Sequence, residues 1–195
     1  MPQVSSSRTG LPHEPIVLGI DPGTQVMGYG LVRKSGAQFL HLEHGILKLD
    51  KYSDPLVRLQ RIYEACTRLI DAWQPRELAV EAPFHGKNVQ SMLKLGRAQG
   101  VVMATALRYR LPIFEYAPRK VKMAVTGNGQ ASKEQLSAMV VRLLELPTAP
   151  QDLDASDALG VGLCHLLQGR SHDVRNQGNS WEAFIRDHPN RVQKP

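Results

Sequence analysis

Two stretches of this chain limit its fold more than any others: "IVLGIDPGT" at 16–24 and "LAVEAPF" at 78–84. Each is a run of mostly apolar residues that ends in a carboxylate, Asp21 or Glu81, and each is stopped within two residues by a proline. Runs that are apolar at nearly every position belong to strands covered on both faces, the habit of inner strands in an α/β sheet. The proline then removes the backbone donor that would extend the ladder. For Asp21 alone, turn chemistry is a sufficient reason, because Asp-Pro-Gly sets both corners of a turn and the carboxylate bonds the turn's own backbone. A second acid at the end of a second buried strand asks for more.

The rest of the chain supplies the sheet around these two strands. Ile16–Ile20, Gly28–Arg33 and Gln38–Leu47 read as three successive strands with short connections, an antiparallel meander, and Gly28 and Gly30 imply that another backbone comes close to the second. Ser53 is expected to cap a helix with Pro55 in its first turn, in which Leu56, Leu59, Tyr63, Cys66, Leu69, Ile70 and Trp73 recur at helical spacing toward the core. A strand at 77–82, a long helix at 88–108, a short strand at 112–116 and a helix at 118–125 follow. Ser132 and Gln135 form a capping box, and a last helix runs from about Asp154 to Leu167 with Leu159, Leu163 and Leu166 on its packing face. This order predicts an α/β fold: a mixed five-stranded sheet with helices on both faces. The small residues Gly96, Ala98 and Gly100 suit close helix packing, in the core or across a dimer.

The 195 residues predict one domain, over 15–169, after a disordered leader at 1–14 and before a polar tail at 170–195, where only "SWEAFIRDH" could form a short amphipathic helix. There is no apolar segment of a signal peptide and no run of about 18 apolar residues, so no membrane partner and a cytoplasmic location are expected. Cys66 and Cys164 sit among apolar neighbours in helical segments and read as reduced core thiols. A net charge of +6 and a pI near 9.5 fit a polyanionic partner without requiring one.

A third source of acids is "QDLDASDALGVGLCHLL". Asp154 and Asp157 are three apart, so a helix puts both on one face of its first turn. Acids there also stabilise a helix dipole, and Asp154 alone could be an N-cap; both readings are open for the pair by itself. Taken with Asp21 and Glu81 the balance changes. Carboxylates from two strand ends and one helix start would repel by several kcal/mol at an effective dielectric constant of about 20 unless a cation lay between them. Oxygen donors suit hard divalent ions, Mg²⁺ or Mn²⁺. Two such ions about 3.5–4 Å apart activate a water and stabilise a leaving alkoxide in phosphodiester hydrolysis. No Cys or His cluster has zinc spacing, and His41 and His44 read as surface or packing residues.

In order and spacing, "GIDPGTQVMGYG", "VEAPFHGKNVQSMLKLGRAQGV", "FEYAPRKVKMAVTGNGQASKEQ" and "DASDALGVGLCH" resemble the RuvC family of Holliday-junction resolvases, which have the ribonuclease H-like fold. The resemblance covers about Ile16 to Leu167 and implies a homodimeric, Mg²⁺-dependent endonuclease that makes paired symmetric nicks in four-way junction DNA, in recombination and repair. It implies that Asp21, Glu81, Asp154 and Asp157 are the catalytic, metal-binding acids. It makes Phe84, otherwise an ordinary loop aromatic that tucks into a core, a wedge that stacks on an unpaired base. Lys87, Asn88, Lys94, Arg97, Arg119, Lys122 and Lys133, otherwise a solvated basic face, become DNA contacts, with Lys122 and Lys133 near the scissile strand. The same resemblance implies the RuvA–RuvB branch-migration complex as a partner. Two other classes compete. "GIDPGT" also resembles the first phosphate loop of actin-like ATPases and sugar kinases, but those pair two such lobes, and a second loop is absent from this sequence. A non-catalytic junction-binding relative would need an acid lost, and all four are present.

Overall fold

The computed structural model describes residues 15–83 and 89–168. Strands β1 (Ile16–Asp21), β2 (Val26–Ser35) and β3 (Gln38–Lys48) form the expected antiparallel meander. β4 (Glu77–Glu81) lies parallel to β1 and β5 (Ile113–Tyr116) parallel to β4, so the sheet order is β3-β2-β1-β4-β5. Helices α1 (Pro55–Trp73) and α2 (Val89–Arg108) cover one face; α3 (Pro118–Thr126), α4 (Lys133–Leu143) and α5 (Leu153–Gln168) cover the other. This is the mixed five-stranded α/β architecture of the sequence reading. The leader at 1–14 and the tail at 170–195 lie outside the described residues. Among the described residues no helix is long and apolar enough to cross a membrane.

Strand alternation decides which face receives the acids. Leu18, Ile20, Leu78 and Val80 pack with Ile62, Ile70 and Val102 under α1 and α2, whereas Val17 and Ala79 pack with Leu136, Val140 and Leu159 under α4 and α5. Side chains alternate along a strand, so Asp21 and Glu81, in phase with Val17 and Ala79, face α5. They stand at matching ends of neighbouring parallel strands, one residue past the last registered pair, Ile20 and Val80.

The helix that brings the other two acids is held unusually close to the sheet. A Cβ on Gly19 would lie 2.3 Å from the carbonyl oxygen of Ala158, and one on Gly28 would lie 1.9 Å from that of Asp154. No side chain fits at either position, so backbone packs against backbone. Gly28 is paired with Asp21 across β1 and β2, which sets the first turn of α5 directly over the first acid. The expected single packing face of α5 is too narrow a description: every residue from Ala155 to His165 is buried. The sheet covers one side and α3 and α4 the others, and the small residues Ala155, Ser156, Ala158, Gly160 and Gly162 allow them to approach.

Two local expectations are corrected. The cap of α1 is Asp54, whose carboxylate accepts from the Leu56 amide at 2.8 Å, because Pro55 occupies the first helical position and the residue before it must cap. Leu56 is 72% exposed and belongs to no core. Of Gly96, Ala98 and Gly100, only Ala98 packs in the core; among the described residues nothing stands within 4 Å of a Cβ placed on Gly96 or Gly100, which leaves packing across a dimer as their alternative. The capping box of Ser132 and Gln135 is present, and Cys66 and Cys164 are buried free thiols.

Candidate metal centre

Asp21, Asp154 and Asp157 each offer a carboxylate oxygen, and these oxygens lie within 4.8 Å of one another. Glu81 stands beside this trio rather than within it: it lines a small cavity of about 140 Å³ with Asp21, Pro22 and Pro83, walled on the far side by Leu95 and Gln99 of α2. The four acids of the sequence reading thus meet at one end of the sheet, three tightly and the fourth at the edge.

Their electrostatics show crowded, poorly solvated negative charge. Burial, and then the charges of Glu81 and Asp157, push the Asp21 carboxyl up to about 8. Burial and then Asp157 push Glu81 up to about 7. The Asp157 carboxyl is also raised, by burial, although Lys133 opposes the rise. Lys133 is the one cation in direct contact among the described residues, with Nζ 2.5 Å from Asp157 Oδ2 and 3.3 Å from Asp154 Oδ1. Partial burial opposes its charge, but the bond to Asp157 and the two aspartate charges outweigh that and hold the ammonium above its ordinary range. Lys122 lies near enough for its charge to oppose the rises at Glu81 and Asp157. An all-oxygen donor set with more negative charge than its lysines balance suits a hard divalent cation.

The other expected site residues divide. Lys122 and Lys133 flank the acids. Arg119 forms no ion pair with the acids among the described residues and runs over Gly129 in the turn before α4. Lys94 and Arg97 are exposed on α2. Phe84, Lys87 and Asn88 lie outside the described residues. His41 and His44 face each other on the edge strand, with Nε2 of the first 2.7 Å from Nδ1 of the second, away from the acids.

One polar arrangement went unread in the sequence. His165 is 2% exposed, with Nε2 2.9 Å from Glu77 Oε2 and Nδ1 2.7 Å from the Tyr116 hydroxyl. If Nε2–H donates to the carboxylate, Nδ1 is left to accept from the Tyr O–H, so one chain of bonds ties α5 to both β4 and β5. The only signals were a glutamate opening a buried strand and a histidine inside an apolar helix, and neither residue type at such a place names its partner.

Residues 17–165 match the family model of crossover junction endodeoxyribonuclease RuvC. The RuvC of Cytophaga hutchinsonii is 50% identical over 178 residues, 91% of this chain and 88% of its own length. That of Bacteroides fragilis is 50% identical over 183 residues, 92% and 97% of the two chains. Among solved structures, Thermus thermophilus RuvC in complex with Holliday junction substrate is 32% identical, with a TM-score of 0.75 over 80% of this chain and 95% of that one. The yeast mitochondrial Holliday junction resolvase Ydc2 shares the fold, with a TM-score of 0.58 at 10% identity.

Proposed function

This chain belongs to the RuvC family of crossover junction endodeoxyribonucleases, and from that premise we propose that it resolves four-way DNA junctions by metal-dependent hydrolysis at the cluster of Asp21, Glu81, Asp154 and Asp157. The observation that carries the reading is the meeting of Asp21, Asp154 and Asp157 within 4.8 Å, on top of a sheet whose fold and sequence are those of the family. The ion these residues fit is Mg²⁺, with Mn²⁺ as a substitute; a pair of such ions would supply Lewis acidity to the attacking water and to the leaving oxygen.

The chain's own residues prepare that chemistry. Asp21 and Glu81 are fixed by the sheet, Asp154 and Asp157 by a helix that cannot rotate because its backbone rests on Gly19 and Gly28. The donor set is therefore preorganised, and little side-chain freedom is lost when a cation is taken up. Lys133 holds the aspartates together through its ammonium. With a cation among the carboxylates, Lys133 and Lys122 are free to meet a phosphodiester anion, which places the strand to be cut over the acids. Phe84, Lys87, Asn88 and Arg119 are further proposed DNA contacts, with Phe84 as the wedge at the branch point.

The substrate has two equivalent strands, so we propose a C2 dimer with one site for each. The surface that suits it is a stripe on α2: Val89, Leu93 and Leu107 are 66%, 53% and 52% exposed, and Gly96 and Gly100 lie open between them on the same side of the helix. Small residues at the middle of an apolar stripe let two helices cross closely. A cytoplasmic location and co-operation with the RuvA–RuvB branch-migration complex complete the proposal. The test is incubation with a synthetic four-way junction and a matched linear duplex, each with and without Mg²⁺. Metal-dependent cutting of the junction alone is expected; equal cutting of the duplex, or cutting with metal removed, would contradict the reading.

A further inference from the structure

Beside the metal centre lies a second, mostly apolar hollow, a pocket of about 530 Å³ between the first turns of α1 and the middle of α2. Its floor is formed by Leu49, Ile62 and Ala98, all buried, and its rim by Leu56 and Leu59. Thr24, three residues after Asp21 in the same turn, lines its edge. Arg58 locks that edge by donating from its guanidinium to the carbonyl oxygens of Thr24, at 3.0 Å, and Tyr52, at 2.6 Å. The wall from α2 brings Lys94, Arg97 and Ala98, while the adjoining stripe of the same helix, Leu95 and Gln99, walls the cavity that holds Asp21 and Glu81. The two hollows therefore share a turn on one side and a helix on the other.

Its charge is one-sided. Three cations, Arg58, Lys94 and Arg97, line it, and among the described residues no carboxylate does. Lys94 and Arg97 form no ion pair among the described residues, and Asp54, between the lining residues Ser53 and Pro55, is engaged in capping α1. An apolar interior under an unpaired cationic rim is complementary to a ligand with one apolar face and one anionic edge. A nucleotide whose base has left the stack is such a ligand, and a strand crossing at a branch point supplies one, whereas a fully paired duplex does not.

We propose that this pocket takes up one unstacked nucleotide of the strand being cut, with its base against Leu56, Leu59 and Ala98 and its phosphate on Lys94 and Arg97. The assignment rests on the reading of the chain as a junction endonuclease and adds to it a second anchoring point beside the scissile phosphate. Junction selectivity then has a source apart from the acids: duplex DNA meets the same lysines and arginines but has no free base for the hollow.

The test walks single abasic substitutions through the positions flanking the cut site of a synthetic junction, and measures junction binding and cleavage by the full chain and by Leu56→Glu. Leu56 is 72% exposed, so this change leaves the core alone while placing an acid at the pocket mouth. One abasic position should weaken wild-type binding roughly tenfold, the worth of burying a modest apolar area. Leu56→Glu should weaken binding to the intact junction by a similar factor and have little further effect at that one abasic position, since coupled perturbations are not additive. Lys94→Ala and Arg97→Ala should each lower the log–log salt dependence by about one. If the wild type cuts the junction but Leu56→Glu and base removal combine additively at every position, the pocket holds no base and the proposal is overturned alone. If the wild type does not bind or cut junctions at all, the functional reading beneath it falls as well.

Discussion

Replacing Asp21 by asparagine should make the metal-free protein more stable while making it inactive. In the folded chain the Asp21 carboxyl is pushed from 3.8 up to about 8, first by burial and then by Glu81 and Asp157. A carboxyl with a raised folded value binds its proton more tightly folded than unfolded. Its contribution is thus fully favourable below the unfolded value and is lost as pH rises toward 8. At about 1.4 kcal/mol for each tenfold difference in proton affinity, the ionised wild type is disfavoured relative to a neutral isostere by up to about 2 kcal/mol at pH 5 and about 5 kcal/mol near pH 8. Water entry and rearrangement of Lys133 reduce these ceilings. A third of the larger one is still roughly 3–7 °C in melting temperature for a chain of this size. The assay is thermal unfolding of wild type and Asp21→Asn in a chelator at pH 5 and pH 8, repeated with excess Mg²⁺. The variant should melt higher at pH 8 by several degrees and much less so at pH 5. Mg²⁺ should raise the wild type more than the variant and narrow the gap. Equal melting temperatures at pH 8 without metal, or a gap that grows toward acid pH, would refute the picture of an uncompensated carboxylate cluster.

Three further outcomes follow from the same structure. Gly28→Ala sets a methyl group against the Asp154 carbonyl oxygen, so α5 must shift; about 1–3 kcal/mol of stability and much of the cleavage rate should be lost together, and unaltered cleavage would show that this seat does not position the helix. Junction affinity should fall steeply with salt, with a log–log slope of several, and Lys122→Ala should reduce that slope by about one; a salt-independent affinity would remove the basic residues from DNA binding. Phe84→Ala should slow cutting of an intact junction by about one to two decades and be largely rescued by mismatches beside the cut site, whereas a large drop in melting temperature without rescue would return Phe84 to a core.

How much of this was readable before the fold was known depends on how local each signal is. Asp21 and Glu81 stand out because an acid ending a buried strand is conspicuous over six residues of sequence, and strand alternation alone puts both on one face. The pairing of Asp154 with Asp157 is equally local, a spacing of three within one helical turn. The closeness of α5 to the sheet showed only as glycines in β2; that Gly28 lies beneath the Asp154 carbonyl depends on packing between segments far apart in the chain. The full burial of α5 was obscured because glycine, alanine and serine carry no strong apolar period, although they are what lets neighbours close in on every side. Lys133 reaches Asp157 from the start of α4, and His165 reaches Glu77 across the sheet, so no window of sequence holds either pair. The cap of α1 was expected at Ser53 and is its neighbour Asp54, since both are good cap formers and the proline decides between them.

The most direct test of the central claim compares Asp21→Asn, Glu81→Gln, Asp154→Asn and Asp157→Asn with the wild type on one synthetic four-way junction, measuring single-turnover cleavage in Mg²⁺ and binding in parallel. Each change keeps shape and removes a ligand charge from one cluster. Every variant should bind the junction about as well as the wild type and cut it at least a hundredfold more slowly, a loss of roughly 3 kcal/mol of transition-state stabilisation. A variant that cuts at the wild-type rate would take its residue out of the metal centre, and four that did so would show that the chemistry happens elsewhere.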